Sequence, residues 1–477
     1  MNHQVLRKIL VCITIFLLIS LCVLPTIQAE VKINNTPVNF NNNLSFNTQN
    51  PVYNLLIITA DKFENALKPL VEHKIKYGIS TKLIKLSDVY EQIYWYGRDE
   101  AEKIKYFIKF AIEEWGIKYV LLVGGKKGQL PYWHFPVRYV RMDEGWEPHY
   151  ISDLYFADVY DSEGNFSTWD SNNDGIYGEW TYDQEAKDKH LDLYPDVALG
   201  RLPCRNTLEV KIMVDKIIDY ETKAFNRMWF KDMIVIAGDT YPESHNPNWT
   251  GYEGEYYAEL ALENMTGFNP IRLYTSDGTF SGQKDVIRAM NMGCGFVYFV
   301  GHGSPKVWGN HPPNESGFIQ GLDVLNIHKL RNNNMYPICV VSGCHNNQFD
   351  VSVLNYFNLQ AFYRGEAAIE CWGWRFTRKV GGGSIATIGC TSLGFTKEDK
   401  DSFKGGINEI EVEFFKQYGQ NKIEVVGDTW CAAVTGYLDK YPINWDKSEE
   451  GDNWIDTKVV QSWILFGDPS LKIGGYP

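Results

Sequence analysis

The chain has 477 residues, of which 44% are hydrophobic and 22% are charged, and this balance is typical of a folded globular protein. A chain of this length is too long for one ordinary core, so we expect two packed α/β units. The formal net charge of −13 argues against a nucleic-acid partner, because the sequence has no cluster of basic residues to contact a phosphate backbone.

The N-terminus has the layout of a secretory signal peptide over residues 1–29. Arg7 and Lys8 precede an apolar run from Ile9 to Leu24, and the small residue Ala29 follows. An uncleaved anchor is the alternative, although the run is short for a spanning helix. We therefore expect a secreted or cell-surface protein with no stable membrane span after signal cleavage. Residues 30–50 are Asn-rich and are predicted to be a flexible lead-in.

From residue 51, short apolar runs alternate with segments of helical length, which predicts parallel β-structure covered by helices on both faces. The first strands are predicted at 53–60, 81–86, 118–125 and 196–203, with helices at 62–77, 100–114 and 207–225. The aromatic, acidic and Gly-rich stretch 131–195 interrupts the alternation.

A second series of strands begins after residue 228. Strands are predicted at 231–239, 269–275, 295–303, 336–344 and 382–390, and helices at 251–264, 283–291, within 360–378 and at 405–418. We therefore predict an α/β fold with two doubly wound, mostly parallel sheets. The expected units are an N-terminal subdomain at 51–228 and a catalytic subdomain at 229–477.

Two of these strands run into glycine and then into a residue able to do chemistry. His302 follows FVYFVG and Cys344 follows YPICVVSG. Ligands bind beyond the carboxyl ends of strands in open parallel sheets, and glycine lets the backbone turn sharply there. A nearby imidazole activates a thiol and carries its proton, so the pair indicates Cys–His acyl-transfer chemistry. A structural histidine beside a buried cysteine is the alternative.

Several motifs together resemble the gingipain family, peptidase family C25, within the caspase-like cysteine peptidases of clan CD. VGHGSPKVWG (300–309) is similar to that family's His motif and VVSGCHNNQFD (340–350) to its Cys motif. The other similar stretches are PDVALGRLPC (195–204), GGGSIATIGCTS (381–392) and LFGDPSLKI (465–473). Their order along the chain also agrees with the family.

This resemblance implies a caspase/gingipain-like fold and a peptidase with protein or peptide substrates and no catalytic cofactor. It assigns Cys344 as the nucleophile, His302 as the general acid/base, and the amides of Gly303 and Cys344 as oxyanion donors. For the acidic group that orients the histidine, Asp196 is our first candidate and Asp153 the second.

His345 directly follows the nucleophile, where the family more often carries small residues. We expect it to be an exposed loop residue, and the alternative is a second titrating group. A zinc site built from the histidines and Cys344 is disfavoured, because no HExxH helix is present.

The segment TWDSNNDGIYGEW resembles a calcium-binding loop. Asp170, Asn172 and Asp174 occupy alternating positions before Gly175, and Glu179 supplies a further carboxylate. We expect a structural calcium ion here, and an Asx-rich turn is the alternative.

The sequence thus predicts a secreted cysteine endopeptidase; the alternative function is an inactive, calcium-bound surface module for binding or adhesion on the same fold.

Overall fold

The computed structural model describes residues 52–243, 251–397 and 405–477. The predicted signal peptide and lead-in lie outside these residues. Residues 50–477 form one compact unit. Among the helices that are described, none is long and apolar enough to cross a membrane.

A single 10-stranded sheet organises this unit. Its strands are β1 (Leu55–Thr59), β2 (Thr81–Lys85), β3 (Tyr119–Val123), β6 (Ala198–Leu202), β7 (Asp232–Ala237), β8 (Asn269–Tyr274), β9 (Phe296–Val300), β13 (Ile338–Ser342), β14 (Ala386–Cys390) and β15 (Trp463–Phe466). Two small antiparallel sheets accompany it: β4 (Tyr139–Arg141) with β5 (His149–Ile151), and β10 (His302–Gly303) with β11 (Val307–Asn310) and β12 (Ile319–Asp323).

The order across the large sheet is β2-β1-β3-β6-β15-β14-β13-β9-β7-β8. All neighbours pair in parallel except β14 and β15. The sheet therefore consists of two five-stranded halves that run in opposite directions. The carboxyl ends of β9 and β13 lie together at one edge.

Twelve α-helices are described. They are α1 (Glu64–Lys76), α2 (Leu86–Gln92), α3 (Glu100–Trp115), α4 (Leu154–Ala157), α5 (Thr207–Lys223), α6 (Glu253–Asn264), α7 (Gln283–Met292), α8 (Leu359–Tyr363), α9 (Trp372–Thr377), α10 (Ile407–Gly419), α11 (Val426–Lys440) and α12 (Asn453–Ser462). A 3₁₀ helix at Val353–Phe357 directly precedes α8.

Alternate residues of β7, β9 and β13 enter different cores, as the period of a β-strand requires. Phe296 and Tyr298 of β9 join the core that contains Phe414 of α10, whereas Val297 and Phe299 join the core that contains Phe376 of α9. Both faces of the sheet are thus covered by helices, which explains why the strands are apolar throughout.

The predicted α/β class, with mostly parallel strands and helices on both faces, is confirmed. The two expected sheets are joined edge to edge, because the C-terminal strand β15 inserts between β6 and β14. The chain passes from the first half of the sheet to the second between α5 and β7, close to residue 228, and returns to the centre with β15. The helix predicted within 360–378 is divided into α8 and α9.

Candidate active site

His302 and Cys344 follow neighbouring parallel strands in the same register. Val300, the last residue of β9, is paired with Ser342, the last residue of β13. Each catalytic candidate comes two residues later, and the N–H of Gly301 still donates to the carbonyl of Ser342 at 3.2 Å. The pairing of these strands therefore carries both residues to the same end of neighbouring strands, at the edge of the sheet.

Glycines allow the two loops to touch. A Cβ atom at Gly343 would lie 3.1 Å from the Cα of Gly303, and one at Gly303 would lie 2.8 Å from the carbonyl oxygen of Cys344. A larger residue at either position would push the loops apart. Glycine is needed at both positions because the loops approach each other closely. This approach brings together Gly303 and Cys344, whose amides are the predicted oxyanion donors.

Asn346 links the two loops. It is fully buried, and its Nδ2 donates to the carbonyl of Ser304 at 2.8 Å and to that of Val307 at 3.3 Å. The next residue, Asn347, is equally buried but donates to the carbonyls of Thr387 and Ile464, both at 3.3 Å. Asn346 thus holds the Cys344 loop against the His302 hairpin, whereas Asn347 holds it against β14 and β15.

The Cys344 thiol contacts the backbone of Gly394. The Gly394 N–H donates to Sγ at 3.4 Å, and Sγ lies 3.9 Å from the Gly394 carbonyl oxygen. Burial raises the pKa of the thiol to about 12, and the Gly394 N–H partly opposes this shift. Among the seven described cysteines, none forms a disulfide; Cys344 and Cys431 are half-buried and the others are buried. The thiol is therefore neutral in this state, and it needs a base before it can act as a nucleophile.

The His302 ring is oriented by a backbone carbonyl. Its Nε2 lies 2.7 Å from the carbonyl oxygen of Thr240, which follows the neighbouring strand β7. A carbonyl only accepts, so Nε2 carries the proton, and in the neutral ring Nδ1 carries the basic lone pair. The rings of Tyr241 and His311 pack edge-on against His302, with centroids at 5.8 and 5.2 Å.

Two buried carboxyl groups hold the segment that contains Thr240. Asp239 accepts from the N–H of Asn314 at 2.7 Å, and Glu253 accepts from the N–H of Tyr241 at 3.1 Å. Burial raises the pKa of Glu253 to about 7, with a smaller contribution from the charge of Asp239. This pair fixes the backbone whose carbonyl orients His302.

The expectation that His345 is an exposed loop residue is wrong. His345 is buried, its backbone is left-handed with a φ of 60°, and its Nδ1 lies 3.6 Å from Oε2 of Glu147. Burial lowers the pKa of the imidazole. The left-handed turn directs the side chain into the protein, against Glu147, which also binds Lys458 at 3.0 Å.

Neither acidic candidate contacts His302 among the contacts described. The Asp196 carboxylate accepts from the N–H groups of Val159 and Tyr160 at 2.6 and 2.9 Å. It precedes β6, which lies four strand positions from β9, or about 19 Å at the usual strand spacing. Asp153 is buried in a two-bond salt bridge with Arg201 at 2.7 Å. The geometry therefore does not support an orienting role for either aspartate.

The side chains of the expected calcium loop form hydrogen bonds and ion pairs within the protein. Asp170 accepts from the N–H groups of Asp174 and Gly175 at 3.0 Å and pairs with Arg98, and Asp174 accepts from the N–H of Ile176 at 2.8 Å. Asn172 accepts from Asp174, and Glu179 lies 3.8 Å from Arg141. In the described part of the chain, no three or more His, Cys, Asp or Glu side chains are grouped so that they could hold a metal ion. The hydrogen bonds of the loop favour the alternative, an Asx-rich turn.

The site residues that the sequence did not reveal are Asn346, Thr240, Asp239 and Glu253. Thr240 acts through its backbone, which leaves no side-chain signal. The buried residues Asp239 and Glu253 are 14 positions apart in the sequence, and no local pattern links them. Asn346 lies within the Cys motif, and an amide so close to the nucleophile is the signal that could have identified it.

The chain is similar to known proteins over most of its length. The model of peptidase family C25 matches residues 48–474. Gingipain R2 of Porphyromonas gingivalis is 22% identical over 425 residues, which cover 88% of this chain and 46% of the relative, and gingipain R1 is 22% identical with 34% of its length covered. The chain thus spans less than half the length of these relatives.

A solved structure described as the Arg-specific cysteine proteinase gingipain R has the same fold, with a TM-score of 0.58 and 20% identity. The match covers 90% of this chain and 79% of that structure. Because the family model extends over nearly the whole described chain, the protein belongs to peptidase family C25.

Proposed function

We propose that this protein is an exported cysteine endopeptidase in which Cys344 is the nucleophile and His302 the general acid/base. The observation that carries the proposal is the shared register of β9 and β13, which sets both residues at one sheet edge with their loops in contact. Membership of family C25 supports the activity, and the apolar run at 9–24 supports export.

The reaction proceeds in two steps. His302 Nδ1 accepts the thiol proton, and the Cys344 sulfur attacks the carbonyl carbon of the peptide bond. The amides of Gly303 and Cys344 stabilise the oxyanion. The C–N bond breaks, the imidazolium returns its proton to the leaving amine, and a thioester remains.

A water molecule then hydrolyses the thioester. His302 accepts its proton, the carbon–sulfur bond breaks, and the thiol is restored. The Thr240 carbonyl keeps the same tautomer of the ring throughout and stabilises the positive charge on the imidazolium.

Labelling by a peptidyl acyloxymethyl ketone tests this proposal. The reagent alkylates a catalytic thiolate, so the wild-type protein should be labelled and Cys344→Ala should not. Cys431→Ala is the matched control, because Cys431 is the other half-buried cysteine. Equal labelling of the wild type and Cys344→Ala would place the nucleophile elsewhere, and no labelling of the wild type would favour a non-catalytic module.

A further inference from the structure

A segment that follows the Cys344 loop exposes an unusual number of large apolar side chains. It consists of the 3₁₀ helix Val353–Phe357 and α8, and we call it the 353–363 surface. Four of its side chains are two thirds exposed or more: Tyr356 (66%), Phe357 (87%), Leu359 (69%) and Tyr363 (74%). Single exposed apolar residues are common, but a contiguous group marks a binding surface.

The fold does not account for these side chains. None of the residues of the 3₁₀ helix is buried, and in α8 only Ala361 is buried. The segment therefore contributes little to the hydrophobic core, so packing does not explain its apolar composition.

Hydrogen bonds nevertheless hold the segment in one shape. Ser352 Oγ accepts from the N–H of Leu354 and donates to the carbonyl of Gln129 at 2.7 Å, and Asn358 accepts from the N–H of Ala361. The Tyr356 ring packs edge-on against Phe362, with centroids 5.4 Å apart. A surface ordered in advance binds a ligand with a smaller entropic cost than a mobile one.

The surface borders the candidate cleft. Ser352 lies eight residues beyond Cys344, and its N–H donates to the carbonyl of Glu366 at 3.1 Å, which closes the segment into a loop. At the end of this loop, a Cβ atom on Gly365 would lie 3.4 Å from Pro305 and 3.6 Å from Cβ of Ser304. Ser304 is two residues from His302. The segment thus connects the Cys344 loop to the His302 hairpin.

We infer that the 353–363 surface binds apolar side chains of the peptide substrate at positions several residues from the scissile bond. The inference rests on the proposed peptidase function and assigns it a substrate class. An extended peptide advances about 3.3 Å per residue, so residues three or four positions from the scissile bond lie roughly 10–13 Å from it. Substrate residues at these positions lie beyond the thiol, at the rim of the cleft.

Continuity with the cleft favours a peptide over other apolar partners. A lipid surface or a second copy of the chain would also cover exposed aromatic side chains. Neither of them explains why the segment continues from the Cys344 loop and ends against the His302 hairpin. These two partners are therefore outcomes of the test.

Two fluorogenic peptides test the inference. Both peptides have the same residue at the scissile bond, chosen by profiling the wild type with a peptide library. At the third and fourth positions on each side of that bond, one peptide carries Leu and the other carries Ser. The surface variant is Phe357→Ser/Tyr363→Ser. The control variant Met228→Ser/Met292→Ser removes two equally exposed apolar side chains that precede β7 and β9, at the opposite edge of the sheet.

The wild type and the control should prefer the Leu peptide in kcat/KM by about five- to tenfold, as expected if two of the four Leu side chains are partly buried on the surface. The surface variant should lose most of this preference. It should keep its circular dichroism spectrum and its labelling by a small peptidyl ketone.

An equal preference in all three proteins would overturn the inference while labelling upholds the peptidase. Absence of labelling and cleavage in the wild type would overturn both. The surface variant could instead keep the peptide preference but lose binding to phosphatidylcholine vesicles, or lose dimerisation in sedimentation. Either result would overturn the inference in favour of a membrane or a second copy.

Discussion

Asn346→Ala should separate the two halves of the candidate active site. The substitution removes the Nδ2 group that donates to the carbonyl of Ser304, in the His302 hairpin, at 2.8 Å. Loss of a buried hydrogen bond costs about 1–3 kcal/mol of the free energy of unfolding. A shift of about 1 Å between nucleophile and base lowers catalysis by roughly 100-fold. We therefore expect both a modest loss of stability in urea unfolding and a large loss of kcat/KM in peptide hydrolysis.

Asn347→Ala provides the matched control. Asn347 is the same residue type, equally buried, and also donates two hydrogen bonds, but to β14 and β15 instead of the His302 hairpin. It should lose comparable stability and less than tenfold in kcat/KM. Equal losses of kcat/KM in the two variants, or full activity of Asn346→Ala, would refute the role assigned to Asn346.

Other predictions concern acidic groups. Glu253 has a folded pKa of about 7, above its unfolded value, so its contribution to stability is present below about pH 4.5 and is lost as the pH rises through 7. The free energy of unfolding of Glu253→Gln should therefore exceed that of the wild type at pH 8, by at most about 3 kcal/mol. At pH 4.5 the variant should have no such advantage, and urea unfolding at both pH values checks this. Arg201→Met should cost about 3–5 kcal/mol in the same assay because it leaves Asp153 buried and unpaired, and a stability close to that of the wild type would contradict the salt bridge. Asp196→Asn should keep kcat/KM within threefold of the wild-type value, because the carboxylate binds backbone amides. A 100-fold loss of kcat/KM would instead identify Asp196 as the group that orients the histidine. Millimolar calcium should not change the melting temperature, because the carboxylates of the 170–179 loop already accept hydrogen bonds, whereas a rise of several degrees would establish the calcium site.

The strands and the positions of His302 and Cys344 could be predicted because their signals are local. An apolar run of five residues followed by glycine identifies a buried strand and its end, and the parallel sheet then determines which ends meet. The joining of both halves into one sheet could not be predicted. It depends on β15, which pairs with strands distant in sequence.

The acidic group that orients His302 is difficult to predict from the sequence for a physical reason. Asp196 stands next to a recognisable strand, but sequence does not specify how many strands separate β6 from β9. One contact of the His302 ring is the carbonyl of Thr240, which any residue type could supply. The position of His345 after the nucleophile indicates an exposed loop. Its left-handed backbone, which turns the ring inward, has no sequence signal in a histidine.

Hydrolysis of one selected fluorogenic peptide by the wild type, Cys344→Ala and His302→Ala tests the central claim most directly. Each variant should lower kcat/KM by at least about 1,000-fold while keeping the native circular dichroism spectrum, and the double variant should lose little more, because the two groups act as one unit. Retention of more than about a tenth of the wild-type kcat/KM by Cys344→Ala would contradict the assignment of the nucleophile and, with it, the proposed mechanism.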